Sequence, residues 1–214
     1  MSDVIPGIDV YLESLGGGSR GGKVGLLANV ASLTRDGCTT LAALRAAGAN
    51  VTVVFAPEHG YFGLGRAGEN MANSQVDGLP IASLYGESFG PPADLLRPPS
   101  AVLVDLQDTG NRWYTYLGTV ANLLQVCART GTPVIVLDRP NPQGGDVVEG
   151  PLAEPAYFSL VAPAAMPARY GLTIGESALM INREIGAALG VTERTVRRDW
   201  EKARLLLLEA LDRE

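Results

Sequence analysis

The chain has 214 residues, of which 46% are hydrophobic, enough for one good-sized core and a small appendage. Its net charge of −6 is uneven: residues 1–182 hold 10 Lys/Arg against 16 Asp/Glu, and residues 183–214 hold 7 of each. An acidic body excludes a broad nucleic-acid-binding face, and the absence of any membrane-length apolar run or basic-then-apolar leader points to a cytoplasmic protein without membrane contact. Cys38 and Cys127 are too few and too far apart for a zinc pattern or a disulfide framework.

In chain order, Lys23 to Ala28 reads as a first strand, and Thr39 to Ala47 as a helix stopped by Gly48. Val51 to Phe55 is a second strand, closed by Pro57 and Gly60. Residues 60–78, rich in Gly and Asn, read as a long loop, a length that points to function. Leu79 to Leu84 reads as a short strand and Ala101 to Asp105 as an apolar strand ending in an acid. A helix from Tyr116 to Thr130 follows, then Pro133 to Asp138, another apolar strand with an acid at its tip. Continuous apolar strands alternating with helices predict an α/β fold: a mainly parallel, Rossmann-like sheet with helices on both faces. Right-handed crossovers place the strand tips on one edge, where open α/β sheets bind ligands.

Three polar groups fall at those tips. They are Glu58-His59, with the only histidine; Asp105 to Asp108 with Gln107, Arg112 and Tyr114; and Asp138-Arg139 with Asn141. Glu69, Glu149 and Glu176 are further acids. An Asp at a strand end often caps the next helix and a lone His is often structural, so each group alone is weak. Together they crowd like charges on one edge, where bonds or ligands must hold them. Two chemistries suit such a cluster. Glycoside cleavage needs a carboxylic acid to protonate the leaving oxygen, often beside a second carboxylate. Metal-assisted hydrolysis needs Asp/Glu oxygens and His59 around a divalent ion, and a single histidine makes this the weaker reading. Gly16 to Gly18 and Gly144-Gly145 lack phosphate-loop spacing and read as turns, so no cofactor and no metal is expected.

Pro57-Glu58-His59-Gly60, Gly68-Glu69, Ser83-Leu84-Tyr85-Gly86, Asp105-Leu106-Gln107-Asp108, Arg112 to Tyr116, Leu137 to Pro142, Glu149-Gly150-Pro151 and Gly171 to Glu176 follow one another in order. This series resembles the NamZ-like exo-β-N-acetylmuramidases, from about Ile5 to Asn182. The resemblance implies a Rossmann-like catalytic domain over 1–182. It further implies removal of N-acetylmuramic acid from the non-reducing end of peptidoglycan fragments, so the expected partner is a muropeptide or amino-sugar substrate. It makes Glu58 the leading catalytic acid with His59 beside it, and Glu149 and Glu176 candidates for the second carboxylate. Asn29, Glu69, Asp105, Gln107, Asp108, Arg112, Tyr114, Asp138, Arg139, Asn141 and Tyr170 would line the pocket. An Arg there suits the lactyl carboxylate of muramic acid, which a guanidinium binds in bidentate fashion. Tyr170 stands where the family usually has His, and the family continues into a second domain whereas this chain ends at Glu214. The expectation is therefore a truncated domain with an exposed apolar surface near the Glu58 edge, which a homodimer could cover.

Residues 183–214 read as a different module. Val196, Trp200, Ala203, Leu207 and Leu211 form one helical stripe, and Ala188 to Arg198 resembles the helix-turn-helix of sigma-70-type extracytoplasmic-function sigma factors. There Arg194, Thr195, Arg197 and Arg198 would meet DNA in the major groove. Two alternatives to the glycosidase thus stand beside it: an inactive sugar-binding remnant, and a DNA-binding regulator whose α/β body is a sensor. The join falls near Asn182 to Gly186.

Overall fold

The computed structural model describes residues 4–15, 22–70, 72, 74–86 and 89–188. The helix-turn-helix expectation, with Arg194, Thr195, Arg197 and Arg198, lies outside the described residues. The elements run α1 (Gly7–Leu15), β1 (Lys23–Ala28), α2 (Thr40–Ala46), β2 (Asn50–Ala56), β3 (Ser74–Val76), β4 (Leu79–Ser83), β5 (Ala101–Asp105), α3 (Thr115–Thr130), β6 (Val134–Val136) and α4 (Ile174–Ala188). α4 runs unbroken through the 182/183 boundary drawn from composition. Among the described residues no helix is long and apolar enough to cross a membrane.

The sheet order is β3-β4-β2-β1-β5-β6, parallel throughout except for β3, which pairs antiparallel with β4. This is the α/β Rossmann-like architecture expected. The chain starts in the centre at β1, steps outward through β2 and β4, then returns to β1's other side for β5 and β6. The order reverses between β1 and β5, the kind of switch point at which open α/β sheets bind ligands.

Each face of the sheet has its own core. Val24, Leu26 and Ala28 of β1 pack with Ile8 of α1 and with Leu41 and Leu44 of α2. Leu27, with Phe55, Val102 and Val104, packs instead under α3 and α4. Strand alternation explains the division. One register shift, with Val24 opposite Val51 but Gly25 opposite Val53, leaves Thr52 as an extra residue in β2. Beyond that bulge Leu27 pairs with Phe55 and with Val104, and Ala56 with Ser83. The ends of four strands are therefore level, so the residues that follow them stand in a row.

The segment expected to be a continuous loop, 60–78, contains β3. It forms a hairpin with β4 through Asp77 and Gly78, both at positive φ (49° and 77°), the backbone of a two-residue primed turn. Helix α1 was not among the predicted elements. Its Ile8, Tyr11, Leu12 and Leu15 share one face against the sheet, and its first amide, Gly7 N–H, donates to Asp138 O at 2.8 Å.

Candidate active site

Glu58 follows β2 directly and is 7% exposed. Its Oε1 accepts from the Gly68 amide at 2.8 Å and its Oε2 from the Thr115 hydroxyl at 2.7 Å. The Tyr85 hydroxyl, beyond β4, lies beside the same carboxyl: burial followed by the Glu58 charge raises its pKa. Glu58 is thus held from two elements, its own loop and the first turn of α3.

Thr115 brings its neighbours with it. The Tyr114 and Tyr116 rings lie 4.6 Å apart at an interplanar angle of 56°. Asn29, just past β1, donates its amide to the Tyr116 hydroxyl at 2.7 Å. Burial, then the Tyr114 hydroxyl, raises the pKa of Tyr116. Of the predicted residues, Glu58, Asn29 and Tyr114 are therefore brought together by residues 114–116. Thr115, Tyr116, Tyr85 and Gly68 complete the group, although none had been marked as a site residue. All four lie inside the ordered motifs, but a hydroxyl partner 57 residues away leaves no local trace.

His59 has φ +70°, the left-handed region that non-glycine residues rarely adopt. Its Nδ1 is 2.9 Å from Gly65 O, and the Gly65 amide donates to His59 O at 3.0 Å. The ring also walls a small cavity with Tyr61, Phe62 and Leu64. Glu69 sits in the following turn, its Oε2 accepting from the Arg66 amide at 2.7 Å.

The other acids have different occupations, and each departs from the expected role. Asp105 is fully buried, with its carboxylate held in bidentate fashion by Arg139 Nε and Nη2 and bonded also by the Thr40 hydroxyl. Arg139 donates further to Leu33 O at 2.7 Å. This sealed pair ties β5 to β6 and the loop after β1, and it presents no carboxylate oxygen to a ligand. Asp138 accepts from Gly175 N at 2.9 Å and Thr173 Oγ1 at 2.6 Å, which anchors the start of α4. A Cβ at residue 175 would lie 2.6 Å from the Asp138 carboxylate, so glycine is required there. Glu176 closes a capping box: its Oε2 accepts from Thr173 N at 2.9 Å while Thr173 Oγ1 accepts from Glu176 N at 3.1 Å. Glu149, 65% exposed, pairs with Arg169 at 3.0 Å. Neither second-carboxylate candidate therefore reaches Glu58's network; both carboxylates are engaged in structural contacts.

Asn141 staples loops, donating to Leu172 O at 2.9 Å and accepting from Gln143 N at 2.9 Å. Gln107 bridges Asp108 O (2.9 Å) and Pro140 O (3.2 Å). Arg112 donates from Nη1 to Pro151 O (2.9 Å) and Met166 O (2.7 Å), pinning the segment beneath it. Asp108 is the exception among the acids. Its Oδ2 accepts from Gly110 N at 3.0 Å and from the Tyr170 hydroxyl, while the equally buried Oδ1 has no partner among the described residues. Burial pushes its pKa up to about 6, against the opposing pull of the Gly110 and Thr109 amides. Among the described residues no group of three or more His, Cys, Asp or Glu could hold a metal ion.

Exposed apolar side chains occur in the loops that follow β1 and β2 and in the turn before α3: Val30 is 40% exposed, Phe62 47%, Leu64 83% and Trp113 61%.

The family model described as Exo-beta-N-acetylmuramidase NamZ, N-terminal, matches residues 24–207. The chain is 35% identical over 189 residues to Peptidoglycan beta-N-acetylmuramidase NamZ of Bacillus subtilis (strain 168), covering 87% of this chain and 46% of the relative. Among solved structures, one DUF1343 family protein of Bacteroides fragilis NCTC 9343 superposes with a TM-score of 0.76 at 36% identity, covering 84% of this chain and 46% of that one. A second from the same organism gives 0.69 at 32%, covering 86% and 48%. The chain spans about half the length of the relatives it matches.

Proposed function

The chain belongs to the NamZ exo-β-N-acetylmuramidase N-terminal family, and on that premise we propose that it cleaves the glycosidic bond of a terminal N-acetylmuramic acid in peptidoglycan fragments, with Glu58 as the proton donor. One observation carries the reading: a nearly buried carboxyl stands at the carboxyl edge of a parallel sheet, one strand from the strand-order reversal, with partners that position both of its oxygens.

In this mechanism Glu58 carries its proton to the glycosidic oxygen as the bond from that oxygen to the anomeric carbon breaks, and the leaving sugar departs as an alcohol. The carboxylate left behind is received by the Gly68 amide and the Thr115 hydroxyl, which need not reorganise; water then attacks the anomeric carbon and gives up a proton to the Glu58 carboxylate, restoring the acid. Trp113, Phe62 and Leu64 offer apolar surface to a pyranose ring face. Arg112, whose bonds to carbonyls both leave from Nη1, offers its remaining guanidinium N–H groups to the lactyl carboxylate.

The test is turnover of a chromogenic N-acetylmuramic acid glycoside by purified protein. Glu58→Gln, which keeps the shape and removes the proton, is expected to lower kcat at least a thousandfold. Turnover by that variant at the wild-type rate overturns the assignment. Sugar binding without turnover in the wild type identifies an inactive sugar-binding domain.

A further inference from the structure

We propose that His59 is a positioning residue: with Gly65 it forms a two-bond clasp that holds the Gly68 amide against Glu58. The inference rests on the glycosidase reading only for its effect on turnover; the clasp itself is independent of it.

The argument starts from the backbone. His59 adopts φ +70° and Gly60 +74°, so the chain reverses immediately after Glu58 instead of continuing away from the sheet. Pro57 O accepts from Gly60 N at 3.0 Å and Gly60 O from Gly63 N at 3.2 Å, which curls the segment into two successive turns. A curl that short returns to its origin, and there Gly65 meets His59 twice. The Gly65 amide donates to His59 O at 3.0 Å, and the His59 ring nitrogen Nδ1 stands 2.9 Å from Gly65 O. A carbonyl oxygen only accepts, so Nδ1 carries the hydrogen and donates. The bond therefore holds whether the imidazole is neutral or charged, because Nδ1 is a donor in both forms.

Three residues beyond Gly65 comes Gly68. The intervening turn is closed by Arg66 N to Glu69 Oε2 at 2.7 Å and by Glu69 N to Arg66 O at 3.1 Å. The clasp and this turn together fix where the Gly68 amide points, which is at Glu58 Oε1 at 2.8 Å. A second tether, Val30 N to Tyr61 O at 2.9 Å, ties the loop to the end of β1. The left-handed backbone of His59 is itself unfavourable for a non-glycine residue. Glycine would avoid that cost and would lose the Nδ1 donor. Histidine at this position therefore makes sense through its ring nitrogen, and the nitrogen engaged is the one facing Gly65.

Amide mimicry separates this role from direct acid–base chemistry. Asn places its side-chain N–H₂ near the position of Nδ1 and tolerates positive φ; Gln places it near Nε2; Ala has neither. Two measurements are made on His59→Asn, His59→Gln and His59→Ala. The first is hydrogen exchange of the Gly65 and Gly68 amides by NMR, which needs no substrate. The second is turnover of the N-acetylmuramic acid glycoside. Expected are wild-type protection and turnover within about threefold for Asn, and at least tenfold faster exchange with at least tenfold lower turnover for Ala and Gln. Gly68 protection unchanged in His59→Ala would overturn the clasp. So would His59→Asn that keeps Gly68 protected yet loses turnover as fully as Ala, since that pattern assigns the chemistry to Nε2. If the wild type shows no turnover while the exchange pattern holds, the clasp stands and the glycosidase reading falls.

Discussion

The Thr115 hydroxyl reaches Glu58 Oε2 at 2.7 Å across 57 residues of sequence, so the first turn of α3 and the tip of β2 are aligned through one hydrogen bond. Thr115→Val keeps the shape and removes the donor. A hydrogen bond to a charged group contributes about 1.5–3 kcal/mol. Turnover of the muramic acid glycoside is expected to fall roughly 10- to 100-fold in Thr115→Val and to stay within about threefold in Thr115→Ser.

Asp108 predicts a pH dependence of stability whose sign follows from burial. Its pKa is raised from 3.8 to about 6, so between those values the folded chain binds more protons than the unfolded one. Its contribution is full below pH 3.8 and is lost as pH rises through about 6. Asp108→Asn, which cannot ionise and can still accept from Tyr170 and Gly110, should match the wild type at pH 4. At pH 7.5 it should be more stable by roughly 1–3 kcal/mol. Urea unfolding at the two pH values measures the difference.

Arg139 should prove a stability residue. Truncating one partner of a buried ion pair strands the other charge and costs about 3–5 kcal/mol. For Arg139→Ala the thermal midpoint is expected to fall by about 10 °C. Arg139→Lys should recover little, because an ammonium cannot make the two-pronged contact with Asp105. Calorimetry on the three proteins checks this.

Glu176 and Glu149 should be dispensable for chemistry. Glu176→Ala removes half of a capping box and is expected to cost about 0.5–1.5 kcal/mol of stability. Glu149→Gln breaks an exposed pair and is expected to cost less than about 1 kcal/mol. In both, kcat per folded molecule should remain within about twofold of wild type; a thousandfold loss in either would restore it as the second carboxylate.

How much of this was legible in the sequence depends on how far apart the interacting groups lie. Buried parallel strands declare themselves as apolar runs, and β1, β2, β5 and the start of α3 fall within a residue or two of expectation. The three-residue β3 is too short to carry a period, although Asp77-Gly78 is a hairpin signal in its own right. Helix α1 was legible in principle from Ile8, Tyr11, Leu12 and Leu15, but nine residues beside a glycine-rich stretch give little to weigh.

The strand tips were legible as a polar edge; which acid stays available was not. Asp105, Asp108 and Asp138 look alike in sequence, and what separates them is the donor each meets: Arg139 for the first, Tyr170 for the second, the start of α4 for the third. Glu176 is different, because Thr-x-x-Glu ahead of an apolar run is a capping signature that needs no structure to read.

The span of these bonds bears on how the molecule comes into being. Asn29 meets Tyr116 across 87 residues, and Arg139 meets Leu33 across 106. Groups so distant along the chain meet only after β1, β5 and β6 have assembled, and contacts of long sequence separation are reached slowly. During refolding, helical signal should therefore return before the hydroxyl network does. Closure of the Glu58 edge then marks the last stage of folding, and a protein that acquires its strands without closing it would look folded by circular dichroism while its candidate site stayed unformed.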